Sequence, residues 1–494
     1  MGKEIVQQQF SHDDFILFRE RLINQLKLLK HIIQQPNFGD EPLRLGAELE
    51  LYLLNKHSKP LCCNEQVLTA LNNPLFQYEI NQYNIELNLP AVAMQGQPFQ
   101  QLEASMLAQL SQLTKVNTEL GIEQVAIGIL PTLTSADLTQ QNMTDQFRYK
   151  LLSKKLSSSR GQPFHIEIHG QEDIELDLTD VTAEGANTSF QVHMMVPPGE
   201  FEPVYNAALF SQPLVTAIAA NSPFFLGKKA WAETRIALLK QTLDCRLPAA
   251  VQHKLPARVN LACGWLKQDA WQLYAEAVSL YPVLVPSLSE EVTTGLPHLA
   301  ELNLHMGTVW SWNRPVYCRQ GNGHIRIEFR ALPAGPSCVD MIANAAFAIG
   351  LAYGLRHSMA EITAIMPFDF ADYNFYRAAQ SGLDAEVMWP DLAQYKMVAQ
   401  PLSTMIKQYL PIAKQGLLEL KITATEADYY LGIIEKRLSQ KVTGSVWQLN
   451  TAQHFEQNKH MSRPDSCQKM LQRYMQFSQA NLPVSEWERL WQFN

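Results

Sequence analysis

Four short stretches of this chain alternate between apolar and polar residues, and in each the polar positions carry carboxylate, imidazole or guanidinium groups. Between Leu43 and Leu53, the residues Leu45, Ala47, Leu49, Leu51 and Leu53 take one face while Arg44, Gly46, Glu48, Glu50 and Tyr52 take the other. In Ile85–Leu89 the apolar residues alternate with Glu86 and Asn88, and in Phe190–Val196 Gln191 and His193 lie opposite Phe190, Val192, Met194 and Val196. Ile325–Leu332 sets Arg326, Glu328 and Arg330 against Ile325, Ile327, Phe329 and Ala331. A period of two is that of a half-buried strand. Four such strands imply a sheet covered on one face and open to solvent or ligand on the other.

Around these strands the chain reads as helical. Asp13–Gln35 carries Phe15, Phe18, Leu22, Leu26, Leu29 and Ile33 at spacings of three and four, and Pro98–Thr118, Glu202–Ala220 and Val339–Leu355 have the apolar periodicity of helices that cover a sheet. Phe164–Asp180 reads as strand, turn at Gly170, strand, and Glu301–His305 as one more strand-like piece. Beyond about Pro367 the strand signal fades, and Pro390–Leu417, Thr425–Leu438 and Arg463–Phe477 read as helices with no Gly/Ser- or Pro-rich linker before them. The expected fold class is α+β. A curved, mainly antiparallel sheet with a polar active-site face and helices on its other face spans 1–365, and a helical C-terminal region over 366–494 packs on the same unit.

With 494 residues, 46% hydrophobic and 18% charged, the chain has ample material for a large core. Forty basic against forty-eight acidic residues leave 40 − 48 = −8, which argues against a nucleic-acid partner held by phosphate neutralisation. The seven cysteines form no CxxC pair, and the odd count fits reduced thiols. The start, MGKEIVQQQF, lacks the apolar region of a signal peptide, and the uncharged stretches around Asn206–Gly227 and Met341–Leu355 are broken by polar residues, Pro or Gly, as in buried helices. A soluble cytoplasmic protein without nucleic-acid or membrane partners is expected, and a homo-oligomer is compatible with the sequence.

If the four strands share one sheet, Glu48, Glu50, Glu86, His193 and Glu328 meet on its polar face. Four carboxylates in one place repel each other unless cations compensate. Oxygen-rich ligands with a single imidazole suit Mg²⁺ or Mn²⁺, and more than one divalent ion is what phosphoryl chemistry uses to clamp polyphosphate oxygens. Arg326 and Arg330 flank Glu328 and can grip phosphate or carboxylate. The combination points to a nucleoside triphosphate bound on a sheet face without a P-loop, since no GxxxxGK[ST] occurs and Gly321–Gly323 reads as a hairpin turn. GxSxG, HExxH and GxGxxG are also absent. The HIEIH run places His165, Glu167 and His169 on one strand face, which is compatible with metal ligation and equally with a surface hairpin.

These residues sit in an ordered set of motifs: GAELEL at Gly46–Leu51, NIELNLP at Asn84–Pro90, TSFQVHM at Thr188–Met194, ANSPFFLG at Ala220–Gly227, HMGTVWSWNRPVY at His305–Tyr317 and HIRIEFRALPAGPSCVDMIANAAF at His324–Phe347. In these motifs the chain resembles the bacterial glutamate–cysteine ligase-like proteins, or carboxylate–amine ligases, of the glutamine synthetase-like fold, from about Leu43 to Trp447. The resemblance implies that Glu48, Glu50, Glu86, His193 and Glu328 bind divalent metal, that Glu79 is a further acidic ligand, and that Arg330 contacts nucleotide phosphates. Glu79 precedes Glu86 by an odd number of residues, so a bulge or break near Asn81–Asn84 is required to bring both to one face. Arg330, Arg326 and Glu328 are the catalytic candidates. The implied chemistry is ATP-dependent activation of a glutamate-like γ-carboxylate as an acyl phosphate, followed by attack of an amine. Cysteine is the acceptor the family name suggests, with a place in glutathione synthesis.

Substrate-side candidates are Arg235, Arg314, His305, Trp312 and Gln191. Arg235 follows the ANSP turn and is either an anchor for a substrate carboxylate or an arginine paired with Glu233 or Asp244. Trp310, Trp312, Asn313 and Arg314 line the substrate mouth or, for the tryptophans, join the core. His305 is a general base or a hydrogen-bonded structural histidine. Thr443, Gly444 and Trp447 match the family's C-terminal pattern. A metal-dependent phosphotransferase, a metal-dependent amidohydrolase and a non-catalytic nucleotide-binding relative are the alternatives to a ligase.

Overall fold

The computed structural model describes residues 9–247, 254–289 and 295–492. It is 51% helical and 18% strand, an α+β chain with an open, mainly antiparallel sheet. The sheet has seven strands: β1 (Arg44–Leu54), β2 (Phe76–Tyr78), β3 (Asn84–Ala93), β4 (Glu123–Val125), β7 (Phe190–Met195), β8 (Asn313–Cys318) and β9 (His324–Phe329), with β5 (Phe164–Ile168) and β6 (Ile174–Leu178) forming a separate hairpin. The strand order is β8-β9-β7-β1-β3-β2, and β4 adds to β1. Every pairing is antiparallel. The four alternating segments are therefore β1, β3, β7 and β9, adjacent in space although far apart in sequence.

Their apolar positions, among them Leu45, Leu49, Leu51, Ile85, Leu87, Phe190, Val192, Met194 and Ile327, are almost wholly buried. Helices α2 (Pro98–Leu120) and α5 (Cys338–Gly354) pack against these strands, α3 (Phe201–Ala219) packs against β8, and α5 contacts both other helices. Ser337 caps α5 through its hydroxyl, which accepts from the Asp340 N–H. Cys338–Ile365 is the one helical run among the described residues long and apolar enough to cross a bilayer, and 94% of its apolar window is buried inside the protein. Ser11 opens α1 (His12–Ile33) in a capping box with Asp14. From the buried stripe of α1, Gln25 Nε2 donates to Glu301 Oε2 at 2.5 Å, and Arg21 Nη1 lies 2.8 Å from Glu301 Oε1.

Two expected elements differ. Ala300–Met306 is a helix (α4), not a strand: Glu301, Leu302, His305 and Met306, spaced one, three and one apart, are its buried positions, and a five-residue run cannot separate that pattern from alternation. Pro390–Leu417 is not helical throughout. It begins inside a hairpin, β10 (Glu386–Asp391) and β11 (Lys396–Pro401), before the helix α6 (Leu402–Glu419). Val387 and Trp389 are buried with period two, and Asp391 Oδ1 accepts from the N–H groups of Ala393 and Gln394 to form the turn. Further helices, α7 (Ala424–Ser439), α8 (Gly444–Asn458) and α9 (Arg463–Gln479), follow, and Trp447 of α8 is fully buried against Tyr474 and Trp487.

Candidate active site

Strand register assembles the site. Glu328 stands opposite His193, His193 opposite Gly46, Gln191 opposite Glu48, Glu48 opposite Asn88, and Glu50 opposite Glu86. Facing side chains on neighbouring strands are about 5 Å apart at Cβ, so the polar positions of four strands converge on one patch. Two triads result. One ligand atom each from Glu48, His193 and Glu328 lie within 4.8 Å of one another, and so do those of Glu50, Glu79 and Glu86. The break that Glu79 requires exists: β2 ends at Tyr78 and β3 resumes at Asn84. Asn64 holds the break by donating to the carbonyls of Asn81 and Asn84.

The first triad is ringed by arginines. Arg314 Nε and Nη2 donate to Glu328 at 2.6 and 3.1 Å, and Arg330 Nη1 donates to Glu328 Oε1 at 2.8 Å. Arg326 Nε donates to His193 Nδ1 at 3.1 Å, and His193 Nε2 lies 3.0 Å from Glu48 Oε1 without the alignment of a hydrogen bond. Burial alone pushes the Glu328 carboxyl up, but Arg314, Arg330 and His193 hold it well below the usual carboxylate range. Its four lone-pair positions are not exhausted by three hydrogen bonds.

The second triad has mostly neutral partners. Glu50 accepts from the Ser189 N–H at 2.7 Å and from Gln191 Nε2 at 3.0 Å, while Gln191 Oε1 accepts from Arg330 Nη1 at 2.6 Å. Asn88 Nδ2 donates to Glu86 Oε1 at 2.5 Å. Burial, then repulsion from Glu86, pushes Glu50 up to about 7; burial, then Glu48, does the same for Glu86. Glu79 is driven well above its ordinary value by burial, Glu86, Glu50 and Glu184.

Glu184 is the site residue that sequence reasoning missed. It sits on the short turn Glu184–Ala186, and burial followed by Glu50 raises its carboxyl to about 7. The turn lies hard against the β2–β3 break, since a Cβ on Gly185 would stand 2.4 Å from Asn81 Nδ2. Lying outside any strand, Glu184 has no periodicity to reveal it; only its closeness in sequence to TSFQVHM marks it.

The substrate-side candidates divide. Arg314 and Gln191 lie on the polar face. Arg235 is buried, its Nη1 3.2 Å from Glu233 Oε1 and from the Ala331 carbonyl, with Nη2 3.5 Å from the Arg330 carbonyl. It stands behind the Arg330–Ala331 backbone, engaged with Glu233 rather than Asp244. Trp312 is buried edge-on to Phe375 at 5.8 Å, packed with the hydrophobic core. His305 is buried with Nε2 2.9 Å from the Ala277 carbonyl, and burial pushes its pKa down to about 4. Both are enclosed by packing, and the contacts described for them run to Phe375 and to the Ala277 carbonyl. In the β5–β6 hairpin, His165 is exposed and paired with Asp177, and His169 is exposed and paired with Glu167 and Asp173.

Donors of this kind, carboxylates with one imidazole and too little positive charge on one side, fit hard divalent cations. Comparison with known proteins fixes the context. The family described as glutamate–cysteine ligase family 2 matches residues 44–458. The chain belongs to this family. It is thereby an ATP-dependent carboxylate–amine ligase, an enzyme that forms a carbon–nitrogen bond between small molecules. Among solved structures it is similar to glutamate–cysteine ligase from Francisella tularensis in complex with AMP, at a TM-score of 0.54 and 11% identity over 90% of each chain. It is also similar to a bifunctional glutathione synthetase from Pasteurella multocida, at a TM-score of 0.47 and 10% identity over 94% of this chain and 55% of that one. At 11% identity the likeness to the first of these concerns the fold alone. No curated protein matches the chain by sequence.

Proposed function

We propose that the ligase activates the γ-carboxylate of glutamate or a glutamate-like acid as an acyl phosphate and joins it to an amine, with cysteine the first acceptor to try. The observation that carries this reading is the juxtaposition of two carboxylate-bearing triads with Arg330, which donates to Glu328 of the first and is linked to Glu50 of the second through Gln191. Glu48, His193 and Glu328, and beside them Glu50, Glu79 and Glu86, would hold Mg²⁺ or Mn²⁺. When bound, the ions neutralise phosphate charge and make the terminal phosphorus accessible to a carboxylate.

The protein's own groups then have separable tasks. Arg330, fixed by Glu328 and Gln191, presents its remaining donors to the transferring phosphoryl group. Arg314 and Arg326 keep Glu328 ionised and His193 oriented, and they add positive charge at the β8–β9 side, where an anionic substrate gains most. The carboxylate attacks phosphorus in line and ADP leaves; the amine then attacks the acyl carbon and phosphate leaves. Neither step calls for a side-chain nucleophile. The acidic half, with Glu184, is suited to an incoming ammonium group.

The test is release of ADP and phosphate from ATP and Mg²⁺ with pooled carboxylates and amines, read by mass spectrometry. A new γ-glutamyl amide is expected. ADP with an acyl phosphate trapped by hydroxylamine, but no amide from any amine, would replace the ligase reading with a phosphotransferase.

A further inference from the structure

The helix α9 contributes one side chain to a buried hydrogen-bond network that leads toward both Arg330 and Glu50. Tyr474 is fully buried, and its hydroxyl donates to the Ala126 carbonyl at 2.9 Å and accepts from Asn221 Nδ2 at 2.8 Å. Asn221 gives its other amide hydrogen to the Ala334 carbonyl at 2.7 Å. Gly335 lies so close that a Cβ there would stand 2.2 Å from the Tyr474 hydroxyl oxygen. One hydroxyl therefore meets three segments, one of which begins with Arg330 while the other two hold residues that support the site.

The segment after Ala126 supplies the Ile127 and Gly128 carbonyls that hold Thr188, next to the Ser189 N–H on Glu50. The Asn221 N–H donates to Glu233 Oε2 at 2.8 Å, fixing the carboxylate that holds Arg235 against the carbonyls of Arg330 and Ala331. The third segment is the Arg330–Gly335 run itself, which is also tied to β7 by the Phe190 N–H on the Leu332 carbonyl and to the residues just before β7 by the Ala334 N–H on the Thr188 carbonyl. From α8, Gln448 Nε2 closes the network on Asn221, 2.8 Å from Oδ1 and 3.1 Å from the carbonyl.

We propose that Tyr474 is a positioning residue for phosphate recognition: through Asn221 and the Arg330–Gly335 run it sets where the Arg330 guanidinium stands, which makes α8 and α9 part of the phosphate-binding apparatus. The inference rests on the reading of Arg330 as a phosphate contact. It has a physical cause. An arginine held by its backbone at several points presents its donors at one place, and a shift of the order of 1 Å is enough to lose a charge-assisted contact.

The experiment titrates ATP and, separately, AMP into the full-length protein with Mg²⁺, for wild type, Arg330→Lys, Tyr474→Phe and the double variant. AMP lacks the β- and γ-phosphates. Arg330→Lys is expected to weaken ATP about tenfold and Tyr474→Phe roughly threefold, with AMP affinity unchanged in both. The double variant should stay near the tenfold loss rather than the thirtyfold that independent effects would give. Multiplying losses, or equal weakening of ATP and AMP by Tyr474→Phe, would overturn the proposal and leave Tyr474 as packing alone. Should Arg330→Lys leave ATP binding intact, the reading of Arg330 itself falls, a separate failure visible in the same series. Gln448→Met provides a second entry to the network if Tyr474→Phe does not fold: Gln448 Oε1 has no hydrogen-bond partner, so the change removes only the donor on Asn221, and it must show the same ATP-selective, non-multiplying loss.

Discussion

The polar face divides into two halves that use the same side chain in opposite ways. Toward β8 and β9, Glu328 is gripped by Arg314 and Arg330 and stays ionised, with Arg326 on the neighbouring His193. Toward β3, Glu50 and Glu86 have amides as their nearest donors, Glu79 and Glu184 crowd them, and all four carboxyls are shifted upward. The first half is balanced by the protein's own cations. The second is short of positive charge, so an added cation gains more there, and anionic parts of a substrate belong at the first.

The sharpest way to break this comparison is to make the same isosteric change in each half. Glu328→Gln leaves Arg314 and Arg330 facing a neutral amide in a buried place, and is expected to lower the stability of the metal-free protein by about 3–5 kcal/mol. Glu86→Gln removes one charge from a self-repelling group, and at pH 8 is expected to raise stability by roughly 1–3 kcal/mol, since a carboxyl titrating near 7 is held ionised at a cost there. Denaturant titration of the two variants decides it. Shifts of the same sign would mean that the halves do not differ. Both changes are expected to abolish amide formation.

Much of this face was legible beforehand, because charged residues at every second position of an otherwise apolar strand leave no freedom about which way they point. Glu48, Glu50, Glu86, His193 and Glu328 fall together for that reason. Glu79 was ambiguous by parity until the break after Tyr78 settled its direction. Arg235 could not be resolved as anchor or ion-pair partner, since burial is a property of the assembled fold. The β10–β11 hairpin was lost because alternation over Val387 and Trp389 alone is too short to outweigh the helical run that follows. The reach of Tyr474 to Asn221 and Ala126 is a long-range contact that no local pattern encodes.

A change of pH sharpens the contrast without mutation. Glu50 and Glu86 titrate at about 7 folded against 4.5 for the free group, so their contribution to stability is full below pH 4.5 and is lost as pH rises through about 7. His305 works the other way: with a folded pKa of about 4 against 6.5, its contribution is intact above pH 6.5 and is lost as pH falls through 4. Several carboxyls outweigh one imidazole, so the metal-free protein is expected to melt higher at pH 5.5 than at pH 8. Millimolar Mg²⁺ should raise the melting temperature more at pH 8, where it does not have to displace protons. A metal-free protein that melts higher at pH 8 would show that the acidic half is already compensated.

The smallest effect concerns Glu184, which tests where the acidic half ends. Its carboxyl is shifted by burial and by Glu50, but it sits on a turn outside the sheet, so one lost charge there relieves less repulsion than at Glu86. Glu184→Gln is expected to stabilise the metal-free protein by about 1 kcal/mol at pH 8 and by nothing measurable at pH 5.5, where the wild-type carboxyl is already protonated. Thermal melts at the two pH values read the difference directly. An equal gain at both would trace to the turn's backbone and packing, and would confine the acidic half to Glu50, Glu79 and Glu86. A gain confined to pH 8 that disappears with Mg²⁺ present would extend that half to the turn, because a cation bound to the triad removes the field that Glu184 feels.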